Sequence, residues 1–341
     1  MFSLFKSLFA SKPVLSGKFT TQELDHWADL AVERMDPRLK MISRYRKRLY
    51  PAVECALLHI KELIRDIPGP LEISRQTYGA DPCVHTLFGS NEQLEHLFSH
   101  SREISEYAKQ VRPKEQTHCY AFMIMDRNDK QRLGHALVGE QVQNDVMQRV
   151  VYFSNHALVK PSNNEEDVRD ELCEHVFQHL LSEAIFKVAN HKEQLAELDR
   201  QLAHQKAELK KLKAEIGGIE FLGTYESDAG DQTPSLVQQL EETKLQRDKL
   251  ASGLQTLDDY FELLVKVLSH PHHHCGLENE SIILNRFNVV QDDDSARDAC
   301  TLPYAEIRTG ELIKAGMIIK YPLDELVGTS RIAMKTKKLY Q

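Results

Sequence analysis

The order of hydrophobic periods predicts an α+β fold for this 341-residue chain: an N-terminal helical region, an antiparallel β-sheet body and an inserted antiparallel coiled-coil hairpin. Three observations carry the prediction. Residues 20–111 place apolar side chains at helical spacing, whereas the stretches around 118–153 and 281–321 carry short continuous or alternating apolar runs. Between them, from Glu165 to Ile216, neither glycine nor proline interrupts a series of leucines at heptad spacing.

Residues 1–19 form a separate amphipathic segment. Phe2, Phe5, Leu8 and Phe9 share a helical face flanked by Lys6 and Lys12. The segment is too short to span a membrane. It is expected either to dock on the protein's own core or to rest on an anionic bilayer surface, which would make the chain peripheral.

The helical region, 20–111, opens with a capping box, Thr20 and Glu23, ahead of Leu24, Trp27, Leu30 and Ala31. A second helix begins near Pro37, carries Leu39, Ile42, Leu49, Val53, Leu57, Ile60 and Ile64, and is expected to kink or split at Pro51. It stops at Ile67–Pro70. A third helix, capped by Ser90 with Gln93, buries Leu94, Leu97, Phe98, Ile104 and Tyr107.

Residues 112–161 supply the first half of the sheet body. His118–Met125, the alternating Leu133, His135 and Leu137, and the run from Arg149 predict a three-stranded meander, with turns at Asp126–Lys130 and near Gln143–Asp145.

The hairpin occupies 162–269. Leu195, Leu198, Leu202, Leu209, Leu212 and Ile216 lie on one seam, broken by Gln205. The return arm opens with Thr233 as cap and Pro234, then carries Leu236, Leu240, Leu250, Leu254, Leu257, Phe261, Leu264 and Leu268. At roughly 1.5 Å per residue the return arm is about 50 Å long, beyond the radius of a small domain. Gln205, Thr243 and Arg247 are polar seam positions that fix register. The tip loop, 217–234, is acidic and has no basic residue.

The second half of the body, 270–341, is expected to hold strands at Ser281–Val290, Met317–Tyr321 and Arg331–Lys335, and a short helix at Glu311–Ala315. Each strand group alone would make a small sheet with exposed edges, so both are read as one sheet.

Composition bounds the function. Hydrophobic content of 41% with 28% charge fits a packed core plus helices that expose most of their surface. A net charge of -8 argues against wholesale nucleic-acid binding while leaving room for local basic patches. Six cysteines without a C-x-x-C pair read as reduced thiols in a cytoplasmic protein.

Three residue groups are candidate sites. If the arms fold back, His175 and His179, four apart on one helical stripe, come level with His272, His273, His274 and Cys275, and together these could complete a tetrahedral zinc site. Solvated surface histidines, with no cofactor, are the favoured reading, and zinc is the one cofactor this pattern allows. At the tip, Ile219, Phe221, Leu222 and Tyr225 stand among carboxylates, an aromatic anchor with an acidic rim suited to a protein partner. Finally, Pro37–Val53 contains no carboxylate, and Arg44, Arg46, Lys47 and Arg48 form an anion-binding patch for nucleic acid or anionic membrane, with Tyr45 and Tyr50 able to stack. Pairing with Glu165, Glu166 and Asp167 is the alternative.

Catalytic signatures fail. The glycines around Gly134 have P-loop spacing, but Glu140 and Gln141 replace the required lysine and hydroxyl. Cys83 and His85 are two apart without a demonstrated base contact. The sequence therefore favours a non-enzymatic interaction, scaffold or adaptor protein acting through the hairpin or its tip, with self-association as one form of partner. A metal-dependent enzyme and an adaptor for anionic surfaces are the alternatives.

Overall fold

In the computed structural model, residues 15–110, 117–138, 141–222, 229–292, 299–309 and 312–325 are described. The chain divides into two units, residues 1–57 with 177–274, and residues 58–176 with 275–341.

The first unit is helical. Helix α1, Thr21–Met35, carries the expected capping box: Thr20 accepts from the Glu23 amide at 3.2 Å, and the Glu23 carboxylate accepts from the Thr20 amide at 2.7 Å. Its buried stripe is Leu24, Ala28, Ala31 and Val32. A 3-10 turn, Pro37–Met41, precedes helix α2, Tyr45–Arg65. The break therefore falls at Ile42–Arg44, and the helix continues through Pro51, so the chain is not split there. Arg44, just before α2, adopts φ 57°, a left-handed conformation. Ser16 ties the preceding segment to α2, its amide and hydroxyl both donating to Glu54. Residues 1–14 of the amphipathic segment lie outside the described residues.

The second unit opens with the end of α2 and a short strand β1, Leu71–Glu72, followed by helices α3, Arg75–Ala80, and α4, Pro82–Leu87. The expected third helix is two, α5 at Asn91–His100 and α6 at Arg102–Gln110. Ser101 separates them because it ends α5 and its hydroxyl accepts from the Ile104 amide of α6.

The meander is replaced by one long hairpin. Strand β2, His118–Val138, runs through the expected turn at 126–130, and β3, Gln141–Ser162, returns beside it. Three register shifts interrupt the ladder, and one of them, between Gly134↔Val146 and Ala136↔Gln143, falls where the second turn is expected. The charged residues remain extended because they pair across the strands: Arg149 meets Asp129 at 2.6 Å, and Asn128 donates to Ser154 at 2.9 Å. After the helical arms, β4, Leu277–Asn285, β5, Ala299–Thr309, and β6, Leu312–Pro322, complete a six-stranded sheet of order β3-β2-β6-β5-β4, with β1 parallel to β6. Strands from before and after the arms thus share one sheet through the β2–β6 ladder.

The expected helix at 311–315 is overturned. Within that stretch, Leu312–Ala315 lie in β6, where Leu312 pairs with Thr309 and Ala315 with Met125 and Glu306. Tertiary pairing decides a stretch too short to specify a helix. The expected strand at 331–335 lies outside the described residues.

One face of the sheet closes a core of Met123, Met125, Phe153, Leu284, Leu302, Met317, Ile319 and Tyr321 against Val84, Phe88, Leu94, Phe98 and Ile104. Phe98 stacks on Tyr321 with ring centroids 3.6 Å apart. Gly316 admits the Phe122 ring: a Cβ there would lie 2.3 Å from Phe122 Cζ.

Returning to the first unit, helix α7, Glu165–Leu222, enters it at Phe177 and is followed by α8, Ala229–Ala251, and α9, Leu257–Ser269. The return arm is thus two helices. Ser252–Gln255 interrupt it, and Thr256 starts α9 through a reciprocal cap with Asp259. The expected tip loop shrinks, because helix occupies 217–222 and 229–234, and Pro234 lies inside α8 instead of at its first turn. Leu195, Leu198, Gln205, Leu209 and Leu212 are half-buried and Leu202 is buried, while the residues between them are exposed. On the returning helices Leu236, Thr243, Phe261, Leu264 and Leu268 are buried. The arms run antiparallel: Gln205 donates to Thr243 at 3.2 Å, Arg247 to Asp199 at 3.0 Å, and His191 contacts the Leu250 carbonyl at 2.9 Å.

Candidate functional site

The basic segment borders a groove in the helical unit. An open groove of about 650 Å³ in the helical unit is lined by Thr21, Asp25, Lys40, Met41 and residues 42–47 and 50. The 3-10 turn and α2 bring its cations together, and α1 supplies acids opposite them.

Of the basic residues of this segment, Arg38, Lys40, Arg46 and Arg48 are neutralised. Arg38 pairs with Asp36 at 2.6 Å, Lys40 with Glu33 at 2.5 Å, and Arg46 with Asp29 at 2.7 Å. Burial acts to raise the Asp29 carboxyl, yet hydrogen bonds from Arg46 and Tyr45 hold it below the usual carboxylate range. Arg48 reaches Asp258 and Glu262 on α9, at 3.2 and 2.9 Å, with its guanidinium 4.4 Å from the Phe261 ring centroid. Arg48 thereby fastens α2 to α9. The acids used are Asp25, Asp29, Glu33, Asp36, Asp258 and Glu262; Glu165, Glu166 and Asp167 are not among them.

The two tyrosines are engaged as well. Tyr45 donates to Asp29 and Tyr50 to Asp25, each at 2.6 Å, and burial followed by the Asp25 contact pushes the Tyr50 hydroxyl up to about 12. Arg44 and Lys47 remain exposed, with no ion pair to a described residue, beside Met41, which is 80% exposed. Arg44 is also the left-handed residue, a conformation that disfavours a side chain by roughly 1–2 kcal/mol.

The histidine group is divided between the two units. His179, His272, His273 and His274 belong to the helical unit, and His175 and Cys275 to the sheet-bearing unit. Residues 271–273 form a 3-10 turn in which the His272 and His273 rings lie against each other, centroids 4.1 Å apart. The Lys187 ammonium lies 3.4 Å from His274 Nε2. Burial first, then Lys187, His273 and His179, lower the His274 pKa, with Glu183 opposing. Among the described residues, no group of three or more His, Cys, Asp or Glu is arranged to hold a metal ion.

At the tip, Tyr225 and the side chains of Ile219, Phe221 and Leu222 lie outside the described residues. Outside the seam, α7 exposes Ile185 and Phe186, the latter 65% exposed, and α8 exposes Leu245 at 72%. No described helix is long and apolar enough to cross a membrane.

Two clusters in the sheet-bearing unit escape sequence inspection. Arg127 on β2 is nearly buried and pairs with buried Glu306 at 3.0 Å and with Asp129 at 3.0 Å, while donating to the Tyr304 hydroxyl. Cys83, singled out beside His85, instead neighbours Cys300, while His85 stacks on Tyr78 at 5.2 Å. The partners are too distant along the chain for spacing to reveal either cluster. Comparison with known proteins gave no matching family model, no matching curated protein and no matching solved structure.

Proposed function

We propose that this protein acts without catalysis, as an interaction or scaffold protein whose helical arms form an antiparallel coiled coil that engages a protein partner. The supporting observation is the narrowness of the buried stripe. From Ile185 to Ala214 of α7, Leu202 is the one buried side chain among the described residues, so nearly the whole circumference of the arm is open to a second surface. Phe186 and Ile185 add an apolar patch outside the seam. Ile219, Phe221, Leu222 and Tyr225 at the tip, with Glu220, Glu226, Asp228 and Asp231 around them, suit a partner with apolar pockets and a basic rim. The test compares quantitative affinity capture with the intact chain and with a chain lacking residues 218–231. A partner recovered at least tenfold less by the shortened chain supports the reading, and equal recovery rejects the tip. Sedimentation of the two proteins identifies a second copy of the chain as that partner if only the intact chain self-associates.

A second reading rests on Arg44 and Lys47, which form no ion pair with a described residue, as contacts for an anionic partner. Two such cations neutralise about two phosphates, so binding to duplex DNA should weaken with salt at a log–log slope of about -2. Anisotropy with a short duplex and flotation with anionic vesicles separate nucleic acid from membrane. R44E and K47E together should abolish whichever signal occurs; unchanged binding would reject the groove.

A further inference from the structure

We propose that Cys83 and Cys300 form a dithiol modification site, which a peroxide converts to a disulfide that locks α4 onto β5 within the sheet-bearing unit. Asp81 caps α4, its carboxylate accepting from the Cys83 amide at 2.8 Å, and so fixes the start of the helix that carries this thiol. The Cys83 sulfur then donates to the carbonyl of Thr301, the residue after Cys300, at 3.7 Å. One turn along α4, the Thr86 hydroxyl lies 3.9 Å from the Cys300 sulfur and 2.8 Å from the Cys83 carbonyl. Two side chains of one short helix therefore bracket Cys300 and its neighbour. A further tie, Asn288 donating to the Thr86 carbonyl at 2.9 Å, holds this turn in place.

The thiols differ in a way that suits sequential oxidation. The interaction between these neighbouring thiols raises Cys83 and lowers Cys300, so Cys300 is the readier of the two to lose its proton and act as the nucleophile. Burial instead pushes Cys119 up to about 12 and Cys173 up to about 11. Cys83 is half-buried and Cys300 is 7% exposed, which leaves an approach for a molecule as small as hydrogen peroxide.

The chemistry balances with hydrogen peroxide as oxidant. The Cys300 thiolate attacks one peroxide oxygen, the O–O bond breaks, and Cys300 becomes a sulfenic acid while hydroxide takes up a proton as the first water. The Cys83 sulfur attacks the Cys300 sulfur, the S–S bond forms, the S–O bond breaks, and the departing hydroxide takes the Cys83 proton as the second water. Two thiols lose two electrons and one peroxide gains them. No further co-reactant is needed, and a dithiol reductant reverses the product.

The experiment uses the full chain, fully reduced, then treated with a small excess of hydrogen peroxide, alkylated and digested without reductant. Mass spectrometry should find the peptides containing Cys83 and Cys300 joined and lighter by two hydrogens, with Cys119 and Cys173 still carrying the alkylating label. Dithiothreitol should remove the joined species. Oxidation should raise Tm by roughly 5–10 °C, because the bond closes a loop of about 200 residues. C83S and C300S should each abolish the joined peptide and the Tm increase. Failure to find the joined peptide in wild-type protein, with Cys83 and Cys300 still labelled or Cys300 driven to sulfinic acid, would overturn the proposal. A joined peptide with unchanged Tm would overturn the claim that it locks the helix.

Discussion

Arg127 shows how much one side chain can determine in the sheet-bearing unit. Its guanidinium ends the apolar face of β2, and Glu306 ends that of β5, so each neutralises a charge that the core would otherwise have to bury alone. R127A should destabilise the protein by about 3 kcal/mol in urea denaturation, since it strands Glu306. R127M with E306L should recover most of that loss, because removing both charges leaves nothing stranded. His156 supplies a pH-dependent counterpart. Burial lowers its pKa below the ordinary 6.5, and its Nε2 meets the Leu87 carbonyl at 2.9 Å, with the ring stacked on Phe88. The unfolded chain therefore binds this proton more readily than the folded one. The stability it contributes is present above about pH 6.5 and is lost as pH falls from there through the folded value. Denaturation midpoints of wild type should fall across that interval, and those of H156F should be flatter. None of these roles was legible in the sequence, which shows the residue types but not the partners that strand pairing brings beside them.

Elements were more legible where their signals are local. The Thr20–Glu23 box and the Ser90 cap depend on neighbours three residues away, and both form as expected. The leucine seam depends on a period repeated over many turns, so it survives the loss of individual positions; Gln205 and Thr243 occupy it as a hydrogen-bonded pair. Short elements fared worse. The Asp126–Lys130 stretch has turn composition, but its charges find cross-strand partners and the strand continues. Residues 312–315 have no such period to hold them and follow β2 and β5 into the sheet. The interruption at Ser252–Gln255 was hidden because Leu254 and Leu257 keep the apolar pattern while Gly253 breaks the helix. Since Thr256 and Asp259 restart it, T256A should cost about 1 kcal/mol by loss of the cap, measured by thermal unfolding; T256S should be nearly neutral.

For the whole molecule, the fold class was readable because it rests on the sequence of periods: helical, then strand, then a long heptad seam, then strand again. The six-stranded sheet is built from both sides of the arms, so the arms leave and return to the chain without disrupting its hydrogen-bonded ladder. The site was less readable. Composition identified the basic segment, but only the fold shows that Arg48 is structural and that Arg44 and Lys47 are free of ion pairs with described residues. The contact between His191 and the Leu250 carbonyl marks where the arms can be shortened without cutting into the packing below. The most direct measurement joins residue 191 to residue 250 through a short glycine-serine linker and compares binding of a partner captured by the intact chain. Near-UV circular dichroism should stay native while partner affinity falls at least a hundredfold. Undiminished affinity in the folded, armless protein would contradict the assignment of function to the arms.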